Sequence, residues 1–335
     1  MDTKEILREL CGADGNSGDE KLAAKLSAEL LSKYGEISLD NLGNVICKVA
    51  PEKNGKHIML DAHLDQIALI VTDIDENGFV TAMPCGGIDR RGICGTRVRV
   101  LGKDGEYFGI VCTPRDEDKK NPKREDITVD LGFTKEEAEK RVSLGDRAML
   151  CGKWSDIGDG YVTSPALDDR SGCACIIEAL ELLKGKELPC GLTAVFSTRE
   201  ETGGEGSAAA AFGIAPTEAL EMDVSFGKTP DTNEIETKLM KKGPMIGFGP
   251  MLDKKMSEKL VSLAKKNGIP YQYEVMSGST GTNADEISKA GAGVRCVTVS
   301  IPQQYMHTTI EKMAIEDIKN VGKLIAAYVE EGAEE

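Results

Sequence analysis

Ile58-Met59-Leu60-Asp61-Ala62-His63-Leu64-Asp65 decides how this chain folds. A short apolar run that ends in polar groups reads as a buried strand of an α/β sheet meeting its carboxyl edge, where the ligand sites of such sheets lie. Upstream, apolar residues at three- and four-residue spacing over 18–34 predict an amphipathic helix. Ile37 to Leu39 and Val45 to Val49, separated by Asn41-Leu42-Gly43-Asn44, read as a hairpin.

Downstream the rhythm changes. From about Ala68 to Tyr161 the chain consists of β-type runs divided by turns such as Asp75-Glu76-Asn77-Gly78 and Gly102-Lys103-Asp104-Gly105. One helix interrupts it, Thr134 to Val142, with Thr134 and Glu137 spaced as a capping box. After Asp168 helix and strand alternate again: helices at 170–183, 253–266, 285–289 and 315–331, and strands at 192–197, 220–226, 271–276 and 294–301. Such alternation predicts a mostly parallel sheet covered by helices. The expected fold class is therefore α/β, with residues 1–67 and 164–335 forming one domain and 68–163 a β-rich insert. No internal repeat is present, and Ala208 to Ala211 is ordinary for a tightly packed helix.

The chain has 335 residues, more than one core of about 100 to 200 residues accommodates. No stretch approaches the roughly 18 to 20 apolar residues of a membrane span. The charged start Met1-Asp2-Thr3-Lys4-Glu5 lacks a secretory pattern, so a cytoplasmic protein is expected. Ten cysteines are spread from Cys11 to Cys296 without a CxxC pair, which predicts reduced, mostly buried thiols. A net charge of -15 disfavours nucleic acid and acidic membrane surfaces as partners.

Only three histidines occur. Two stand among polar residues at predicted strand ends, in Ala62-His63-Leu64-Asp65 and Tyr305-Met306-His307-Thr308. In extended chain Asp65 points the same way as His63 and can fix its tautomer, as carboxylates do behind metal-bound imidazoles. His57, before the buried run, reads as structural or exposed. Asp168-Asp169 begins a helix, where acids also serve as caps, and Arg170 offers Asp169 a local ion pair. Glu200-Glu201 lies at the mouth of a buried strand, a costly position unless a cation neutralises it. Asp223 interrupts another apolar run; taken alone it fits a solvent-facing edge position. Together these residues supply two imidazoles and several carboxylates around one sheet edge. Nitrogen and oxygen donors without cysteine suit zinc, cobalt or manganese, and a bridging carboxylate holds two such ions about 3.5 to 4 Å apart.

The ordered set His63-Leu64-Asp65, Leu167-Asp168-Asp169-Arg170, Glu200-Glu201-Thr202-Gly203, Asp223 and Tyr305-Met306-His307 resembles the TET-type metallo-aminopeptidases, also labelled glutamyl or deblocking aminopeptidases and sometimes endoglucanases. The similarity spans nearly the whole chain. It implies a co-catalytic metallopeptidase fold with a PDZ-like insert used in oligomer contacts, and a homo-oligomer that is commonly a dodecamer. It also implies two divalent metal ions per subunit, with Asp168 bridging them, His63 and Asp223 completing one, and Glu201 and His307 the other. Glu200 then matches the general base and Asp65 the residue orienting His63. The implied substrates are peptides with a free amino terminus. Two positions depart from the pattern: Gln66 where an acid is frequent, and Asn283 where aspartate is frequent.

Rival readings are a co-catalytic carboxypeptidase or amide deacylase with a similar metal cage, and a metal-stabilised assembly without turnover. An unligated Glu200 beside an open coordination position argues against the second. A glycosidase needs carboxylates flanked by aromatic platforms, and one Trp and 4% aromatic residues argue against it. Gly203-Gly204-Glu205-Gly206 lacks the phosphate-loop pattern.

Overall fold

The computed structural model describes residues 2–88, 90–113, 127–233 and 235–333; residues 114–126 of the expected insert lie outside them. The chain opens with helices α1 (Thr3–Gly12) and α2 (Lys21–Leu31). The periodicity over 18–34 yields a helix shorter at both ends; at its start Gly18 turns the chain at φ +85°. Helix α1 was not anticipated, although Ile6, Leu7 and Leu10 have helical spacing and are buried. Strands β1 (Glu36–Leu39) and β2 (Val45–Ala50) pair as the expected hairpin. Asp40 fixes its turn by accepting the N–H groups of Leu42 and Asn44. Then comes β3 (His57–His63), buried along six of its seven residues.

A closed barrel follows: β4 (Ala68–Ile74), β5 (Val80–Cys85), the short helix α3 (Arg90–Ile93), β6 (Arg97–Gly102), β7 (Gly105–Val111), β8 (Thr128–Asp130), α4 (Lys135–Arg141) and β9 (Arg147–Leu150). Among the described residues its strand order is β4-β5-β8-β7-β6-β9, antiparallel throughout. Side chains alternate across each strand, so Val98 and Val100 fill the interior with Leu69, Val71, Val80 and Val129 while Arg97 and Arg99 face out. Thr134 and Glu137 form the expected capping box at α4.

The rest of the chain is β10 (Ser155–Ile157), β11 (Tyr161–Ser164), α5 (Leu167–Leu183), β12 (Gly191–Ser197), α6 (Glu205–Ile214), β13 (Glu218–Phe226), β14 (Met245–Phe248), α7 (Lys254–Lys266), β15 (Gln272–Val275), α8 (Ala284–Ile287), β16 (Arg295–Gln303), β17 (Glu311–Ala314) and α9 (Ile315–Glu331). Strands β10, β11 and β17 make a small antiparallel sheet, so residues 155–164 pair with the chain just after His307.

The main sheet, in the order β1-β2-β12-β3-β13-β16-β14-β15 among the described residues, has four parallel strands at its centre: β12, β3, β13 and β16. Its flanks are mixed, since β2 runs antiparallel to β12 and β14 antiparallel to β16. The protein is a mixed α/β fold. One face carries the large core, where Leu60, Ala62, Leu220 and Val299 meet α5 and α9 through Ile176, Leu180, Val321 and Ile325. The other is covered by α6 and α8, with Met59, Val195, Ala210 and Ile287 between. Because the central strands are parallel, their carboxyl ends meet at one edge, with His63, Ser197 and the ends of β13 and β16 side by side.

Candidate metal centre

Every residue that the sequence singled out for metal chemistry lies at that edge. His63 ends β3, Asp223 lies near the end of β13, and Asp168 begins α5. Beyond β12, Arg199 takes a left-handed conformation at φ +62°, turning Glu200 and Glu201 into a single 3₁₀ turn. Beyond β16, left-handed Tyr305 and His307 carry the second imidazole back towards the edge.

Two groups of donors result. One is His63, Asp169 and Asp223; the other is Asp168, Glu201 and His307; within each, the candidate ligand atoms lie within 4.8 Å of one another. Asp168 joins them, its Oδ1 lying 3.1 Å from His63 Nε2 and its Oδ2 3.2 Å from His307 Nε2. Glu201 Oε2 is 3.4 Å from His307 Nε2, and Asp223 Oδ1 and Glu200 Oε2 are 3.9 and 3.8 Å from His63 Nε2.

The electrostatics are those of a site built for cations. Burial pushes the carboxyls of Asp169, Glu201 and Asp223 well above their usual range, and neighbouring carboxylates add to it. Burial also raises Glu200, to about 7, against the opposing pull of His63. Asp168 is the exception: burial works against its charge, yet the His307 and His63 imidazoles hold it below the normal range. Buried Glu201 Oε1 and Asp169 Oδ2 have no hydrogen-bond partner. Unpaired buried carboxylate oxygens on residues grouped with imidazoles fit divalent cations and are costly without them.

A surrounding layer holds these groups. His63 Nδ1 lies 3.1 Å from the Asp65 carbonyl and 3.4 Å from its Oδ1, as the two-residue spacing predicts. The Asp65 carboxylate also accepts the Ser17 hydroxyl and the N–H groups of Glu200 and Glu201. Fully buried Glu311 accepts the N–H of Asp168 on one oxygen and that of His307 on the other, at 3.1 and 3.0 Å. From the barrel, Gly86 and Gly87 lie against the site. A Cβ at Gly86 would come within 2.9 Å of Glu201 Oε2, and one at Gly87 within 2.9 Å of His307 Nδ1. Sequence reasoning missed Ser17, Glu311 and this glycine pair; the available signals were an acid four residues after His307 and the Gly86-Gly87 dipeptide.

One expectation is corrected. Arg170 forms no ion pair with Asp169: its buried guanidinium donates to the carbonyls of Leu10 and Ala13 at the end of α1, while Asp169 Oδ1 accepts the Gly172 N–H. His57 sits at the far end of β3, its Nε2 2.8 Å from the Thr193 hydroxyl and remote from the edge. One pleat repeat below His63 and Asp223 lie Asp61 and Glu221, register partners on β3 and β13, both fully buried. Asn283 donates there, to Asp61 Oδ2 and the Ser197 hydroxyl, each at 2.9 Å. Gln66 is buried and its N–H donates to the Gly15 carbonyl.

A mixed sheet with paired imidazole and carboxylate donors at its carboxyl edge defines a metallopeptidase-like site, and the comparisons with known proteins agree. Residues 43–324 match the M42 glutamyl aminopeptidase family, and the chain belongs to that family. It is therefore a peptidase, a hydrolase of the aminopeptidase class. The chain is 30% identical to the lysyl aminopeptidase of Pyrococcus furiosus, over 98% of this chain and 96% of that one. An aminopeptidase structure from the archaeon Desulfurococcus kamchatkensis superposes with a TM-score of 0.92 at 32% identity, covering 98% and 95% of the two chains. The TET1 peptidase of Pyrococcus horikoshii, described as assembling into a tetrahedron or a large octahedral shell, gives 0.85 at 27% identity, covering 98% and 99%. No helix among the described residues is long and apolar enough to cross a membrane.

Proposed function

We propose that the protein is a dinuclear-metal aminopeptidase that removes the first residue of peptides bearing a free amino end. The observation that carries this reading is the division of Asp168 between the two imidazoles, Oδ1 towards His63 and Oδ2 towards His307. His63 and Asp223 would hold one ion with Asp168, and Glu201 and His307 the other. Zinc, cobalt or manganese suits these donors. Bound there, two such ions would lower the pKa of a shared water and polarise the scissile carbonyl.

The chain's own groups do the rest. Glu200, adjacent to ligand Glu201 but assigned no ion, takes the proton of the attacking water and returns it to the leaving amine. Asp65 holds the His63 tautomer and, through two backbone N–H groups, the glutamate turn. Glu311 ties the bridging aspartate to the loop of the second imidazole.

Residues 1–67 with 164–335 act as the catalytic domain, and 68–163 as a PDZ-like insert whose barrel ends at Leu150 and whose last strands join β17 of the catalytic domain in one sheet; the insert makes contacts in a cytoplasmic homo-oligomer, of which the dodecamer described for a TET1 structure is one form. The closed barrel and the outward-facing Phe108 and Ile110 on β7, 66% and 53% exposed, support an interface there, as does the assembly described for the Pyrococcus horikoshii peptidase. The test of the activity is chelation followed by cobalt, zinc or manganese, read with amino-acyl anilides bearing free or acetylated amino ends. The proposal requires loss and recovery of turnover on the free-amino substrates alone; activity in protein proven metal-free would refute it.

A further inference from the structure

The cavity beside the metal ligands measures about 390 Å³, within the usual range for small-molecule sites. Past Asp168, Glu200, Glu201, Asp223 and His307, its wall is built mainly from Val224, Ser225 and Phe226 at the end of β13, Thr280 and Thr282 before α8, and Met306. No lysine or arginine occurs among the described lining residues, and beyond the metal cluster no carboxylate does.

The hydroxyls of this wall are already engaged. Thr282 Oγ1 donates to Glu221 Oε2 at 3.1 Å, and the Thr280 and Thr282 hydroxyls lie 3.1 Å apart in one hydrogen bond. Ser225 turns to Glu274, which also accepts the Ser300 hydroxyl at 2.6 Å. The two carboxylates behind the wall are thereby held by threonine and serine, and neither reaches the cavity surface. What the wall offers a ligand is apolar: Phe226, 59% exposed, with Met306, while Val224 is buried in the core behind.

We infer that this cavity receives the side chain of the peptide's first residue and selects uncharged, apolar residues, leucine or methionine, over acidic and basic ones. The inference rests on the aminopeptidase reading above. An acidic side chain would find no lysine or arginine in the wall to pair it, and the charge of the bound ions is already offset by their own carboxylate ligands. A basic one would leave its charge against Phe226 and Met306 without a carboxylate outside the metal cluster to pair it. A charged side chain gains no partner in this wall, whereas an apolar side chain gains by leaving water against Phe226 and Met306.

The experiment compares kcat/KM of the cobalt- or zinc-reconstituted protein for leucyl, methionyl, alanyl, glutamyl and lysyl p-nitroanilides, with acetyl-leucyl p-nitroanilide as control. Leucyl or methionyl substrate should exceed glutamyl and lysyl by about 100-fold or more. Phe226→Ala should lower kcat/KM for leucine by roughly tenfold and for alanine far less. Thr280→Lys should raise the glutamyl-to-leucyl ratio by about tenfold or more, by supplying the missing cation. A wild-type preference for glutamyl or lysyl substrate overturns the inference and leaves the aminopeptidase reading intact. So does a Thr280→Lys protein that still cleaves leucyl substrate with an unchanged ratio. Failure to cleave any free-amino substrate refutes the underlying reading, and the inference with it.

Discussion

Asp65 Oδ1 accepts the backbone N–H of Glu200 at 2.9 Å while lying 3.4 Å from His63 Nδ1, so one carboxylate aligns both a metal-facing imidazole and the assigned base. Its other oxygen takes the Ser17 hydroxyl and the Glu201 N–H. Asp65→Asn removes the charge behind His63 and one acceptor pair. Activity or metal affinity should fall by about 10- to 100-fold, as for other carboxylates behind metal-bound histidines. Metal titration alongside steady-state rates on a leucyl anilide measures both; a variant matching wild type in each would remove Asp65 from the account.

Asp168→Ala should lose both ions, because Asp168 faces the imidazole of each donor group, one carboxylate oxygen towards His63 and the other towards His307. His63→Ala should mainly weaken one. Elemental analysis of the purified variants gives the stoichiometries, and equal losses would contradict the bridging assignment.

Much of this centre was legible beforehand because its chemistry is written in residue types that are expensive in a buried strand. His63, Asp223 and the Glu200-Glu201 pair each interrupt or end an apolar run, and all meet at one edge since β12, β3, β13 and β16 run parallel. Supporting groups were harder to read. Glu311 sits in β17, whose pairing with β11 is set by a strand from far earlier in the chain. Gly86 and Gly87 matter for the side chains they leave room for, Glu201 and His307, which no local pattern reports. The Asp168-Asp169-Arg170 run suggested a local ion pair, but Arg170 turned to the end of α1, a helix the periodicity reading did not include.

Gly87→Ala tests whether the barrel shapes the centre. The added methyl would meet His307 Nδ1 and Cε1 at 2.9 and 3.1 Å, so the imidazole must shift. A misplacement of that kind costs on the order of 100-fold in rate. The expected result is reduced kcat with an unchanged melting temperature of the metal-free protein; normal kcat would show that His307 tolerates the displacement.

Metal-free protein should lose stability as pH rises from about 4.5 to about 7. Burial raises Glu200 from its usual 4.5 to about 7, so the folded state holds its proton more tightly than the unfolded state does. A raised carboxyl contributes stability at low pH and loses it as the pH climbs through the folded value. Bound cations replace those protons, so the gain in melting temperature on adding zinc or cobalt should be larger at pH 8 than at pH 5. Thermal melts of chelated and reconstituted protein at both pH values check this, and an equal gain at the two would contradict it.

The central claim is that the adjacent glutamates divide labour, Glu201 holding metal and Glu200 moving the proton. Glu200→Gln keeps the size and hydrogen bonding of the side chain and removes its basic oxygen. The decisive measurement is turnover of a leucyl anilide by this variant, taken together with its metal content. The account predicts two ions retained per subunit and a kcat lower by roughly two to four orders of magnitude, with KM little changed. Near-normal turnover, or the loss of an ion, would contradict it.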